Sequence, residues 1–192
     1  MKKVGLLGGT FDPPHIGHLV IAEEVYDQLQ LDEIWFIPSN EPPHKDKAMI
    51  ESNYRVAMVE AAIAENDHFF LERFEIDREG KSYTIDTIDA LTTKHPDITF
   101  YFIIGADMVE YLPKWDQIDE LVNMVQFVGV KRPEFDLKSD YPIITIDTPE
   151  IDVSSTMIRQ RIKQERTIAY YVPDAVKRVI KEHHLYGETR SS

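Results

Sequence analysis

The sequence predicts an α/β protein built on an open parallel β-sheet flanked by helices. Three observations point there. Strand-like and helix-like stretches alternate along the chain, the strand-like ones are mostly continuous apolar runs, and a glycine-rich turn follows the first of them. Continuous apolar runs mark strands buried on both faces, the condition inside a parallel sheet covered by helices. Ligands of such sheets sit at the carboxyl ends of the strands.

Strands are expected near 2–8, 33–37, 69–75, 99–104, 125–130 and 143–147, and helices near 16–29, 53–65, 84–94, 117–123, 155–163 and 174–184. The first strand carries Val4, Leu6 and Leu7 and ends at Gly8 and Gly9, where the backbone turns sharply or lets a ligand approach. The first helix follows with Leu19, Ala22, Val25, Tyr26 and Leu29 as its apolar stripe. Trp35 falls within the second strand and reads as core. A loop over 38–51 holds Pro38, Pro42 and Pro43, and another over 131–142 holds Pro133 and Pro142. Loops of that length inside a compact domain often serve as lids or binding loops. Ser82-Tyr83-Thr84 opens the helix at 84–94, and Gly105-Ala106-Asp107 follows the strand at 99–104. Ser154-Ser155-Thr156 opens the helix carrying Met157, Ile158 and Ile162. Pro173 suits the first position of the last helix, Gly187 follows it, and 188–192 are expected to fray. No repeat or linker divides the chain, so residues 1–192 read as a single domain, with C-terminal helices from about 154.

Composition narrows the function. Lys and Arg number 21 against 34 Asp and Glu, a formal charge of −13. So acidic a chain is a poor candidate for duplex DNA or bulk RNA, which need a basic surface. A small anion remains an acceptable ligand if a few cations and N–H groups are focused locally. Cysteine is absent, which excludes disulfides, thiolate metal sites and thiol nucleophiles. The brief apolar stretch after Met1-Lys2-Lys3 is too short for a signal peptide, and no later run could span a membrane. A cytoplasmic setting is expected.

The chemistry concentrates in Val4 to His18, VGLLGGTFDPPHIGH. No Walker loop is present, and Gly5-x-x-Gly8-Gly9 does not fit a dinucleotide fingerprint. Gly8 and Gly9 alone are weak evidence. His15 and His18 are three apart, so on a helix they share one face, and a helix N-terminus after a glycine-rich turn suits phosphate. Either histidine alone would read as a cap or a packed ring. As a pair at this place they read as donors to phosphate oxygens. Metal ligation is the rival, with no third ligand evident in the sequence.

Gly8-Gly9-Thr10-Phe11-Asp12-Pro13-Pro14-His15-Ile16-Gly17-His18 resembles the signature of the nucleotidyltransferase superfamily with the (H/T)-x-G-H motif. Within it the chain is similar to the bacterial nicotinate-nucleotide adenylyltransferases over nearly its whole length. The similarity includes Pro42-Pro43-His44-Lys45, Ser82-Tyr83-Thr84-x-Asp86-Thr87, Ile104-Gly105-Ala106-Asp107, Pro113-Lys114-Trp115 and Ser154-Ser155-Thr156-x-x-Arg159. The His-x-Gly-His motif alone is shared with cytidylyltransferases, pantetheine-phosphate adenylyltransferases and class I aminoacyl-tRNA synthetases; the combination is what specifies the family.

The resemblance implies a Rossmann-like fold and transfer of AMP from ATP to nicotinate mononucleotide, giving deamido-NAD and pyrophosphate, with Mg²⁺ carried by the ATP phosphates. His15, His18, Lys45 and Arg159 become the catalytic candidates. Gly8, Gly9, Thr10, Phe11, Gly105, Asp107, Arg132, Ser154, Ser155 and Thr156 join His15, His18 and Arg159 around ATP. Gly8, Thr10, Lys45, Tyr83, Thr84 and Trp115 are implied around nicotinate mononucleotide, with Trp115 on the pyridine ring and the Tyr83 and Thr84 amides on its carboxylate. Lys45 by itself is an ordinary solvated lysine that only the resemblance lifts. Ser154 to Thr156 alone read equally well as an N-cap, but three hydroxyls with Arg159 at one helix start make a second anion site, which the resemblance implies for the ATP phosphates. The remaining readings are adenylyl or cytidylyl transfer to another phosphomonoester such as phosphopantetheine, a tRNA-ligase remnant, and an ATP-sensing module without turnover. The expected partners are small molecules, without nucleic acid or membrane. Whether copies assemble into a homo-oligomer stays open.

Overall fold

Runs of three to eight residues make six strands that pair throughout as one parallel sheet. The computed structural model describes residues 1–40, 48–78, 83–131 and 139–187. The strands are β1 (Lys2–Gly9), β2 (Glu33–Pro38), β3 (Phe69–Leu71), β4 (Ile98–Gly105), β5 (Gln126–Lys131) and β6 (Ile143–Asp147). They lie in the order β3-β2-β1-β4-β5-β6. The chain runs outward from β1 through β2 to β3, then crosses back to place β4 on the other side of β1. That reversal opens a crevice at the carboxyl ends of β1 and β4, the place where open α/β sheets bind ligands.

Alternation along each strand splits the interior into two layers. Val4 and Leu6 of β1 join Phe100, Phe102 and Ile104 of β4 on one face. Leu7 joins Ile34, Phe36 and Ile103 on the other. Helices α1 (Ile16–Leu29) and α2 (Ser52–Ile63) supply Ala22, Val25, Val59 and Ile63 to the second face. Two more helices, α4 (Thr84–Lys94) and α6 (Ile118–Met124), cover the first face with Ile85, Ile88, Leu91 and Leu121. A third cluster joins Met58 of α2 to α7 (Ser155–Lys163) and α8 (Asp174–Glu182) through Ile158, Val176 and Ile180. The C-terminal segment is thereby folded back behind α2. Among the described residues no helix is long and apolar enough to cross a membrane.

Three local differences from the sequence reading have physical causes. The third strand ends at Leu71 and not at 75, and a one-turn helix α3 (Phe74–Asp77) follows it. The Glu72 carboxylate accepts the N–H of Phe74 at 3.0 Å, an alternative to the sheet ladder that turns the chain. After β4 come two unforeseen short pieces, α5 (Ala106–Val109) and a 3₁₀ turn over Leu112–Lys114. The last helix stops at Glu182 and not 184, with His184 in the left-handed region at φ 51°. The long loops lie largely in 41–47 and 132–138, outside the described residues, as do Ser82 and the tail at 188–192.

Candidate active site

The cleft at the switch point is lined by Leu7, Gly8 and Gly9 of β1 with Thr10 after them, and by Phe102 to Gly105 of β4. Its volume of about 290 Å³ suits a small-molecule ligand. Helix α1 adds His18 and Ile21; Tyr83, Thr84, Asp107 and Trp115 close the far side. Nine of the residues expected at the site therefore meet in one cleft: Gly8, Gly9, Thr10, His18, Tyr83, Thr84, Gly105, Asp107 and Trp115.

Phe11 does not join them through its side chain. It takes φ 50° and turns inward, leaving the residue 2% exposed. Its ring covers Gly9, where a Cβ would stand 2.9 Å from Phe11 Cζ, and packs against Phe36 and the edge of His18. Gly9 is thus glycine for close approach of a ring from its own loop. The bond between Asp12 and Pro13 is cis.

His15 and His18 are brought together differently from two residues on one helical face. His15 is the N-cap of α1, in extended backbone at φ −144°, and only His18 is helical. The His15 N–H donates to His18 Nδ1 at 3.1 Å, one half of a capping box. With Nδ1 accepting, the neutral His18 ring carries its proton on Nε2. The two rings lie against each other, centroids 3.7 Å apart and planes tilted by 31°. His15 is 8% exposed and its Nδ1 has no hydrogen-bond partner among the described residues. Burial lowers its pKa from 6.5 to about 4, so the ring is neutral at pH 7. A Cβ on Gly17 would lie 3.1 Å from the His15 ring, so a larger residue there would press on that ring.

On the far side Tyr83 is the N-cap of α4, so Thr84 and the residues after it offer N–H groups without helical partners. Glu75 also faces the cleft, and its Oε1 accepts the Thr87 hydroxyl at 2.9 Å. Gly105 caps α5, and a Cβ there would meet Asp107 Oδ1 at 2.8 Å. The Asp107 carboxylate therefore curls over a glycine. Trp115 packs edge-on against Phe102 and Phe127, and its Nε1 is buried without a hydrogen-bond partner among the described residues.

The donors of α7 are engaged behind the cleft. Ser154 caps the helix by accepting the Met157 N–H at 3.2 Å. Ser155 Oγ donates to the Pro13 carbonyl at 2.8 Å, and Arg159 Nη1 donates to the Asp12 carbonyl at 2.7 Å. Arg159 Nη2 also donates to Thr156 Oγ1 at 3.1 Å. None of the four lines the cleft; Ser155 and Arg159 brace the loop that leads from Thr10 to His15. Lys45 and Arg132 lie outside the described residues.

Three polar residues that the sequence reading passes over complete the bracing. Asp12, 4% exposed, accepts the Tyr186 hydroxyl at 2.6 Å and the Met49 N–H at 2.8 Å. Burial and the Asp12 carboxylate push the Tyr186 pKa upward, so it stays a donor. Arg55, 1% exposed, donates to the Thr10 and Ser39 carbonyls. One signal could have found Arg55: it sits at helical spacing with Val56, Met58, Val59 and Ile63, a cation on the buried stripe of α2. Among the described residues no group of three or more His, Asp or Glu side chains could hold a metal ion.

A family model described as cytidylyltransferase-like matches residues 6–161. A Bacillus pumilus protein named probable nicotinate-nucleotide adenylyltransferase is 58% identical, covering 97% of this chain and 99% of its own. The nicotinate-nucleotide adenylyltransferase of Bacillus subtilis is 52% identical over the same shares. Among solved structures, a Plasmodium falciparum nicotinic acid mononucleotide adenylyltransferase complexed with NaAD superposes with a TM-score of 0.81 over 97% of this chain and 98% of its own. At 22% identity that last likeness speaks to the fold alone.

Proposed function

The chain belongs to the cytidylyltransferase-like family and, within it, to the nicotinate-nucleotide adenylyltransferases, and on that premise we propose how its residues perform the transfer. The reaction moves AMP from ATP to nicotinate mononucleotide and yields deamido-NAD and pyrophosphate, a step of NAD biosynthesis. An oxygen of the mononucleotide's 5′-phosphate attacks the α-phosphorus in line, and the bond from α-phosphorus to the bridging oxygen breaks. The electron pair leaves with pyrophosphate, and no covalent enzyme intermediate forms. The attacking monoester has a second pKa of about 6, so at neutral pH it is already largely dianionic and no base has to remove a proton.

The protein's work is to hold two anions in line and to stabilise charge as it builds on the α-phosphate and the leaving group. His15 and His18 stand where α1 presents its positive end, and neutral imidazoles there still donate an N–H. Gly8, Gly9 and Thr10 bring backbone close to the phosphates. Lys45 and Arg132 add positive charge for the phosphates. Arg159 contributes from behind, since a guanidinium fork carries five N–H groups and the two bonds to Asp12 and Thr156 use two. Ser155 at the start of α7 supports the loop before His15 from behind through the Pro13 carbonyl, and Asp107 accepts hydrogen bonds from ribose hydroxyls beside Gly105. Mg²⁺ rides on the ATP phosphates and supplies charge neutralisation there.

Nicotinate mononucleotide takes the far side, with Trp115 on the pyridine ring. The N-terminus of α4 at Tyr83 and Thr84 receives the carboxylate, which a helix N-terminus favours over a neutral amide. The enzyme works as one domain over 1–192, in the cytoplasm. The observation that carries this reading is the convergence of three donor sets on one cleft: the Gly8–Thr10 turn, His18 at the start of α1 with the buried His15 ring against it, and the N-terminus of α4. Purified protein with Mg·ATP is offered nicotinate mononucleotide, nicotinamide mononucleotide or phosphopantetheine, and pyrophosphate is measured. Fastest release with the nicotinate nucleotide is expected. No release with any acceptor removes the reading, and faster release with phosphopantetheine moves the chain to another acceptor.

A further inference from the structure

Arg55 is the largest of the fully buried side chains among the described residues, and the transfer chemistry gives it no part. It rises from α2 behind the cleft, and its Nη1 donates to two carbonyls, Thr10 O at 2.8 Å and Ser39 O at 2.7 Å. Thr10 follows β1 and Ser39 follows β2. Both line the cleft, whereas Arg55 does not. The two strand ends are also tied to each other, since the Ser39 N–H donates to the Gly9 carbonyl at 2.9 Å. One guanidinium thus holds both neighbouring strand ends from the side away from the ligand.

Two physical consequences follow. A trans peptide unit is planar with its N–H opposite its carbonyl, so the Thr10–Phe11 and Ser39–Asn40 units turn their N–H groups away from Arg55. Carbonyl oxygens, which would repel phosphate, are withdrawn into the interior. The second consequence is electrostatic. A desolvated cation lies one residue layer behind the phosphate loop, offset by the Asp12 carboxylate, which Tyr186 and Met49 hold in turn. Buried charges of this kind are weak devices for stability, because well-packed apolar groups often do as well or better. A role in the site accounts for the burial.

We propose that Arg55 is a positioning residue for adenylyl transfer: it holds the Thr10 and Ser39 carbonyls out of the cleft so that neither faces the substrate phosphates. The inference rests on the transfer reading, and a binding measurement separates the two. The dissociation constants of ATP and of adenosine, which has no phosphate, are measured for wild type, Arg55→Lys and Arg55→Gln, beside thermal unfolding and steady-state pyrophosphate release. Arg55→Gln is expected to weaken ATP on the order of tenfold or more, the scale of lost charge-assisted hydrogen bonds. Adenosine binding should stay within about twofold, and Arg55→Lys, which keeps the charge without the fork, should fall between. Should Arg55→Gln fail to fold, Arg55→Lys decides on the same ratio. Equal weakening of both ligands reduces Arg55 to scaffolding, and unchanged ATP affinity leaves it idle; either overturns the proposal. Wild type that binds ATP but releases no pyrophosphate removes the transfer reading, while the ATP-to-adenosine ratio still judges Arg55.

Discussion

His18→Ala tests the division of labour at the motif. The wild-type ring has Nδ1 occupied by the His15 N–H, so its one donor is Nε2–H. If that donor meets charge that builds in the transition state, its loss should lower kcat by roughly 10²–10³-fold, the scale for one donor of this kind. Binding of ATP in the ground state loses only an ordinary hydrogen bond, about 0.5–1.5 kcal/mol, at most a factor of about ten. The substitution also strands the His15 N–H at the start of α1, which costs about 1 kcal/mol and roughly 2–4 °C in Tm for a chain of this size. His18→Gln separates these effects, because Gln is a usual third-position partner in a capping box. It should recover the melting temperature and leave turnover low. The assay is pyrophosphate release at saturating Mg·ATP and nicotinate mononucleotide, with ATP affinity measured separately. Near-normal kcat in folded His18→Ala refutes the role, as does a fall in ATP affinity as large as the fall in kcat.

Three further outcomes are expected. His15 has its pKa lowered to about 4 in the folded chain, so between 6.5 and 4 the unfolded chain binds more protons; stability is full above pH 6.5 and falls towards pH 4 by up to about 3 kcal/mol. Urea unfolding at pH 7 and 4.5 should show a shallower loss in His15→Gln than in wild type, and equal losses would count against the buried neutral ring. Gly105→Ala places a Cβ on the Asp107 carboxylate, 2.8 Å from Oδ1, and should raise the nucleotide KM about fivefold through one displaced hydrogen-bond acceptor. In an Asp107→Ala background the same change should do nothing; an undiminished effect there would assign it to the backbone. Tyr186→Phe keeps the ring and removes the donor to Asp12, and should cost about 1.5–3 kcal/mol in urea unfolding because the acceptor is charged and buried. A loss below about 0.5 kcal/mol would mean that the bond is replaced by water.

The fold was legible where burial left a periodic trace. Two-sided burial wrote β1, β2, β4 and β5 as unbroken apolar runs, and the stripe from Leu19 to Leu29 marked α1 as a helix packed on one face. Legibility failed where a single side chain redirected the backbone. Glu72 accepting the Phe74 N–H ends β3 four residues early, and nothing in the apolar pattern from Phe69 to Ile76 announces it. The one-turn helix at Ala106–Val109 and the 3₁₀ turn at Leu112–Lys114 are shorter than the window in which a 3.6-residue period can be seen.

The cleft divides along the same line. Gly8 to Thr10, His18, Tyr83, Thr84, Gly105 and Asp107 could be placed because each stands at a strand end or a helix start, and the topology of a parallel sheet gathers those ends on one side. Ser155 and Arg159 carry the donors that suit an anion, and the sequence shows that much. It does not show the acceptor. A serine hydroxyl or a guanidinium bonds a peptide carbonyl with the same geometry as a phosphate oxygen, and here the acceptors are Pro13 and Asp12, 142 and 147 residues away. Tyr186 reaches Asp12 across 174 residues on the same terms. These separations explain why the C-terminal segment read as scaffolding apart from its SST-x-x-R motif. The loop before His15 has Thr10, Asp12 and Pro13 carbonyls that no strand or helix partners, and buried carbonyls require donors. Long-range side chains supply them, and the position of the two histidines depends on elements that share no local signal with the motif.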